Sequence, residues 1–242
     1  MRRKDARTRR KDAKTRRKGA KTQRRNVGFL LLLCVFASLR LSVAHAQDPT
    51  TLIRRASSVY RGLSSLQADF VQVIEDASLG DTLTSTGTLY QSGQNAFAMR
   101  FSDPPDEAIV IDGRYTWVYT PSTAPGQVIR MAVESDPVYG VNLLARLLDR
   151  PADRYAATWL RKDEVNGRGE EVVAIVPRSA NANFSRAVLW LDLDDALPRR
   201  IELDEAPGVR RILTLSRLRP NAPLARELFE FKIPRGVRVV VQ

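Results

Sequence analysis

The chain has 242 residues and a formal net charge of +12, with 43% hydrophobic residues, enough for one large domain or two small ones. Residues 1–46 hold fifteen Lys/Arg and two Asp, which leaves 24 basic against 25 acidic residues over 47–242, so the body lacks the basic footprint of a nucleic-acid binder. The single cysteine and single histidine, Cys34 and His45, lie in that same stretch. The body therefore has no disulfide, thiolate nucleophile, Cys/His zinc site or histidine base to offer.

Residues 1–25 form a near-repeat of seven, RRKDART, RRKDAKT, RRKGAKT. The repeat has no apolar face to stack, so it reads as a solvated basic run. Residues 27–39 are uncharged, and Ala44 and Ala46 make a small-x-small end. Basic flank, short apolar run and small-residue site predict a secretory signal peptide cleaved before Gln47, hence export to the periplasm. Arg40 interrupts the apolar run, which falls short of the ~20 residues a spanning helix needs. Cys34 follows three leucines rather than small residues and is not read as a lipid-modified cysteine. Residues 47–242 contain no Pro/Gly/Ser-rich linker and are read as one domain.

That domain opens with Leu52, Ile53, Ala56, Val59, Tyr60 and Leu63 at three- and four-residue steps. The spacing predicts an amphipathic helix over 50–63, capped by Thr50 or Thr51. From Leu66 the period falls to two. Strands are predicted at 67–76, 82–91, 95–102, 107–112, 114–120, 126–133, 154–162, 170–177, 185–193, 198–205 and 209–218, with a closing region at 229–241. Asp112-Gly113 marks a hairpin turn. Residues 138–149 interrupt the series with helical spacing at Val141, Leu144, Leu147 and Leu148. The resulting fold class is mainly β, a large antiparallel sheet that must curl and be covered on its apolar face by the two helices.

Alternation divides the strands into two faces. Phe97, Met99 and Phe101 share one, Ile109 and Ile111 share one, and Tyr115, Trp117 and Tyr119 share one. Such residues fill a core or line an adaptable pocket. Catalytic equipment is sparse. Ser57, Ser58, Ser64 and Ser65 have no histidine to activate them, and Gly167-Arg168-Gly169 precedes no phosphate-cradling helix. Asp192, Asp194, Asp195, Asp204 and Glu205 stand near Arg199 and Arg200 and read as solvated charge pairs in turns. A non-enzymatic protein without cofactor or metal is expected, with a carboxylate-dependent hydrolase as the remaining catalytic alternative.

In their order, these elements resemble the periplasmic outer-membrane lipoprotein carrier family. Ser65-Leu66-Gln67-Ala68-Asp69-Phe70-Val71-Gln72 is similar to its "SLxADFxQ" strand, and Gly87-Thr88-Leu89-Tyr90 to its "GxLY/W" strand. An aromatic-rich strand follows, ending before Pro104. Asp112-Gly113, Trp117, Tyr119 and Pro121 fit a "DGxxxWxYxP" hairpin, and residues 229–237 fit "FxFxxPxGV". The resemblance spans residues 50–240 and implies an incomplete β-barrel with a helical lid over an apolar cavity. It implies a monomeric carrier that takes acylated lipoproteins from an inner-membrane ABC transporter to an outer-membrane receptor, with no nucleic acid involved.

Carried over by position, the acyl-chain cavity is assigned to Phe97, Met99, Phe101, Ile109, Trp117 and Tyr119, and the lid to Tyr60, Leu143 and Leu144. Some family members latch the lid through an Arg-Pro near the end of the second strand, where this chain has Gly93-Gln94. Arg100 and Arg146 are the candidate replacements. A periplasmic lipid-sensing or interaction module on the same scaffold is the alternative function.

Overall fold

The carboxylate of Asp48 accepts the backbone N–H groups of Thr50 and Thr51 at 3.2 and 3.1 Å and so starts helix α1, Pro49–Gly62. This acceptor serves helix-end donors that have no intrahelical partner. Asp48, rather than either threonine, is the cap. The computed structural model describes residues 48–133, 141–165, 167–205 and 208–242. The basic run, the signal peptide and its cleavage site lie outside the described residues, as do residues 138–140 of the second expected helix.

Twelve strands follow: β1 Ser65–Asp76, β2 Asp81–Ser92, β3 Ala96–Asp103, β4 Ala108–Ile111, β5 Tyr115–Tyr119, β6 Gln127–Ala132, β7 Tyr155–Val165, β8 Arg168–Pro177, β9 Phe184–Asp192, β10 Pro198–Glu205, β11 Val209–Pro220 and β12 Arg238–Val241. Between β6 and β7 stand the short helices α2, Leu143–Leu148, and α3, Pro151–Arg154. The strands form one sheet in the order β12-β6-β5-β4-β3-β2-β1-β11-β10-β9-β8-β7. The sheet does not close, since β12 and β7 are its two edges. All pairs but one are antiparallel, the exception being β12, which runs parallel to β6 from Arg238 opposite Gln127. An all-antiparallel sheet was expected, but the chain reaches this edge by a long return over the sheet rather than by a hairpin. Such a return lets a strand pair in either direction.

Register assigns the faces. Leu89 stands opposite Ala68 on one side and Met99 on the other, and Met99 stands opposite Ile109. Directly opposed residues share a face, and this inner face carries the main core. Phe70, Leu189, Ile201, Leu213 and Leu215 join it from β1, β9, β10 and β11, beneath Ile53 and Tyr60 of α1 and Leu144, Leu147 and Leu148 of α2. Gly87 is required for this packing. A Cβ there would lie 2.2 Å from the Arg100 carbonyl oxygen and 2.9 Å from Cε1 of Phe70. The space it leaves lets the Phe70 and Phe101 rings meet edge to face at 5.2 Å.

The outer face is covered at one end by the C-terminal segment. Phe229 packs with Ala98, Val110, Trp117 and Val128. Phe231 stacks on Trp117 at 5.5 Å and meets Tyr119 at 5.7 Å.

Candidate functional site

Between the inner face and α2 lies a cavity of about 220 Å³. Its apolar wall is built by Leu89, Phe97, Met99, Ile109 and Leu213 from the sheet, and by Val141, Leu143 and Leu144 from the lid side. Strand alternation explains the sheet contribution: Leu89, Met99 and Ile109 are successive cross-strand neighbours on one face. The rest of the inner face, under α1, is closed by fully buried side chains such as Ile53, Leu189 and Leu191.

Three of the six side chains assigned to the cavity from sequence line it: Phe97, Met99 and Ile109. Phe101 shares their face but packs on the Phe70 ring. Trp117 and Tyr119 do not point inward. Trp117 opposes Val110 and Tyr119 opposes Ala108, both on the outer face, where the C-terminal aromatic residues cover them. Alternation groups Trp117 and Tyr119 correctly with each other, but the β4–β5 register, with the three-residue turn at Asp112-Gly113-Arg114, turns that group outward. The Trp117 indole N–H donates to Asp112 Oδ2 at 2.9 Å, which fixes the ring there.

Helix α2 is held by the Tyr155 hydroxyl, which donates to the Arg146 carbonyl at 2.7 Å, and by two connections through networks of polar side chains. In the first, Asn142 caps the helix, its Oδ1 accepting the N–H groups of Leu144 and Ala145 at 3.1 and 3.2 Å. Its Nδ2 donates to Gln91 Oε1 at 3.2 Å, and the Tyr60 hydroxyl donates to that same oxygen at 2.7 Å. Gln91 Nε2 donates in turn to the Gly93 carbonyl at 3.0 Å. All three side chains are buried, and burial raises the Tyr60 phenol above its ordinary pKa. One buried amide thus joins α1, β2 and α2. It comes from Gln91, two residues before Gly93.

In the second connection, Arg146 of α2 donates through Nη2 to Asn183 Oδ1, and its Nη1 lies 3.5 Å from Glu205 Oε1. Glu205 Oε2 also accepts from Arg211 Nη2 at 3.2 Å, and Arg211 Nη1 donates to Gln72 Oε1 at 3.0 Å. Gln72, Arg146, Asn183, Glu205 and Arg211 form the polar end of the cavity. Arg100 takes no part in holding the lid. Its guanidinium donates to the carbonyls of Leu228 and Glu230 at 3.0 and 2.9 Å, clamping the C-terminal segment on the outer face. As a residue between Met99 and Phe101 it must face away from them.

Of the carboxylates near the β9–β10 turn, Asp194 is exposed as expected, but Asp192 is not. Asp192 is buried, pairs with Arg168 and Arg199, and accepts the N–H groups of Asp194 and Asp195 at 2.9 and 3.1 Å. These partners hold its carboxyl well below the usual range despite burial. Beside it the Glu170 carboxyl is fully buried, with neither oxygen hydrogen-bonded among the described residues. Desolvation, reinforced by the Asp192 charge, pushes Glu170 up to about 8. Among the described residues no group of three or more His, Cys, Asp or Glu is placed to hold a metal ion.

Comparison with known proteins agrees with this architecture. Residues 61–232 match the family described as outer membrane lipoprotein carrier protein LolA. Relatives named outer-membrane lipoprotein carrier protein include one from Nitrosospira multiformis, 29% identical over 86% of this chain and 96% of that protein. Another, from Alkalilimnicola ehrlichii, is 27% identical over 88% and 94%. Among solved structures, an uncharacterized conserved protein from Thermus thermophilus superimposes with a TM-score of 0.51 at 14% identity, covering 79% of this chain and 98% of that one. A LolA superfamily protein from Nitrosomonas europaea aligns with a TM-score of 0.40 at 15% identity, over 77% and 99%. The chain belongs to the LolA family of outer membrane lipoprotein carrier proteins.

Proposed function

We propose that this protein is a periplasmic carrier that shields the acyl chains of lipoproteins beneath α2 on the way between the two membranes. In this reading residues 1–46 direct export and are removed before Gln47, and the chain works as a monomer. A donor in the inner membrane and a receptor in the outer membrane are its partners. The observation that carries the reading is the cavity walled by Leu89, Phe97, Met99, Ile109, Leu143 and Leu144 and roofed by a separate short helix.

Each buried methylene is worth ~0.8 kcal/mol, so one long acyl chain costs roughly 10 kcal/mol to expose to water. Shielding needs apolar walls and a movable roof but no reaction, and the family is one of carriers. At about 220 Å³ the cavity is smaller than the ~300–1,000 Å³ of typical ligand pockets, so α2 must lift for a guest to enter.

The test is binding of a fluorescent acylated peptide to the purified protein. One-to-one binding is expected, weakened by Phe97→Glu in the sheet wall and by Leu143→Glu in the roof. Saturable binding that neither substitution weakens would place the guest elsewhere and sink the reading.

A further inference from the structure

The polar end of the cavity carries more positive than negative charge. Arg146 and Arg211 share a single carboxylate, Glu205, so the three ionised lining groups sum to +1. The remaining partners are neutral: the amides of Asn183 and Gln72, and the Phe184 ring, whose centroid lies 5.0 Å from the Arg146 guanidinium carbon. Arg146 is 4% exposed, and its Nε is buried with no acceptor among the described residues. A buried guanidinium is ordinarily matched by an anion that uses its donors, and an unmet donor there costs free energy. A wall for hydrocarbon alone needs no such group.

We propose that this end is a headgroup subsite, and that the guest it selects is an anionic amphiphile, with its tail against Met99 and Leu144 and a carboxylate or phosphate at Arg211 and Arg146. The inference rests on the carrier reading only in that a hydrocarbon tail enters this cavity. It adds that charge at the tail's end is recognised. A guanidinium offers several N–H donors in a plane suited to either oxyanion. Arg211, partly exposed, is the group an entering head meets first, and Arg146, on the lid helix, closes on it afterwards.

The experiment displaces a neutral fluorescent apolar probe from the purified protein with four twelve-carbon amphiphiles: dodecanoate, dodecyl phosphate, dodecanol and dodecyltrimethylammonium. Both anions are expected to compete about tenfold better than the alcohol, the scale of one charge-assisted hydrogen bond, with the cation weakest. Dodecanoate and dodecyl phosphate compared with each other tell a fatty-acid head from a phospholipid head. Arg211→Gln should cut the anions' advantage over the alcohol, measured within the same variant, by severalfold, while Arg211→Lys keeps the preference. Glu205→Gln should strengthen the anions, an opposite sign that general loosening of the fold does not produce. Equal competition by all four amphiphiles in the unaltered protein would overturn the headgroup subsite while leaving tail binding intact. Failure of every amphiphile to displace the probe would overturn the carrier reading as well.

Discussion

Replacing Gln91 by Leu keeps the apolar volume at the junction of α1, β2 and α2 but removes the oxygen that accepts from both Tyr60 and Asn142. Three partners lose their bond. The Gly93 carbonyl is at a surface turn, where water can replace the amide. The Tyr60 hydroxyl and the Asn142 amide are on buried residues, 4% and 6% exposed, and a buried orphaned donor costs about 1–3 kcal/mol. Once α2 lifts, water reaches these donors, so the penalty of about 2–6 kcal/mol falls mainly on the closed state. Even the lower figure raises the open fraction about thirtyfold. Hydrogen exchange read by mass spectrometry checks this directly: protection of residues 143–148 should fall by at least that factor, while β8 and β9 exchange as before. Adding Tyr60→Phe removes one orphan and should recover about 1 kcal/mol or more. If the substitution loosens α2 no more than β8, the amide does not hold the lid and the reasoning fails.

For Glu170 the consequence is a pH dependence. Below its ordinary pKa of 4.5 both folded and unfolded chains keep the proton. Between 4.5 and about 8 only the folded chain does, so stability falls by ~1.4 kcal/mol per pH unit, up to about 5 in all. Urea denaturation of Glu170→Gln should match the parent near pH 4 and exceed it increasingly up to pH 8, whereas a constant difference would contradict this. Gly87→Ala drives a methyl group into the backbone of β3, and a cost of about 3 kcal/mol should lower Tm by roughly 6–12 °C in a thermal scan. Trp117→Ala strips the ring that stacks on Phe231 and should destabilise by about 3 kcal/mol in urea denaturation. Its affinity for a fluorescent apolar probe should stay within about twofold of the parent's, because the ring faces away from the cavity.

Strand and turn positions were legible because period two and the Asp112-Gly113 turn are local signals. Each expected strand start from residue 67 to residue 209 falls within two residues of the observed one. Which face turns inward is not local. It follows from register between strands and from what covers each face, and the aromatic run at Tyr115, Trp117 and Tyr119 fits a pocket as well as a core. The parallel pairing of β12 was invisible for the same reason. The polar side chains at the cavity did leave a signal: Gln72, Gln91, Glu205 and Arg211 stand in phase with Phe70, Leu89, Leu203 and Leu213. A polar residue on the apolar phase of a strand is either an error or a partner waiting for another element. Of the partners, Arg146 was already a candidate for holding the lid, whereas Asn142 precedes the helix as its cap, where the spacing of Leu144, Leu147 and Leu148 says nothing of what it touches.

The aromatic residues beyond Leu228 have a mechanical effect. With Phe229 and Phe231 pressed on the back of β3, β4 and β5, and Arg100 tying their backbone down, this half of the sheet is braced from behind. A wall braced in this way resists flattening. In the proposed carrier, room is made on the opposite side by displacing the six residues of α2, which concentrates the work of loading in one small moving part.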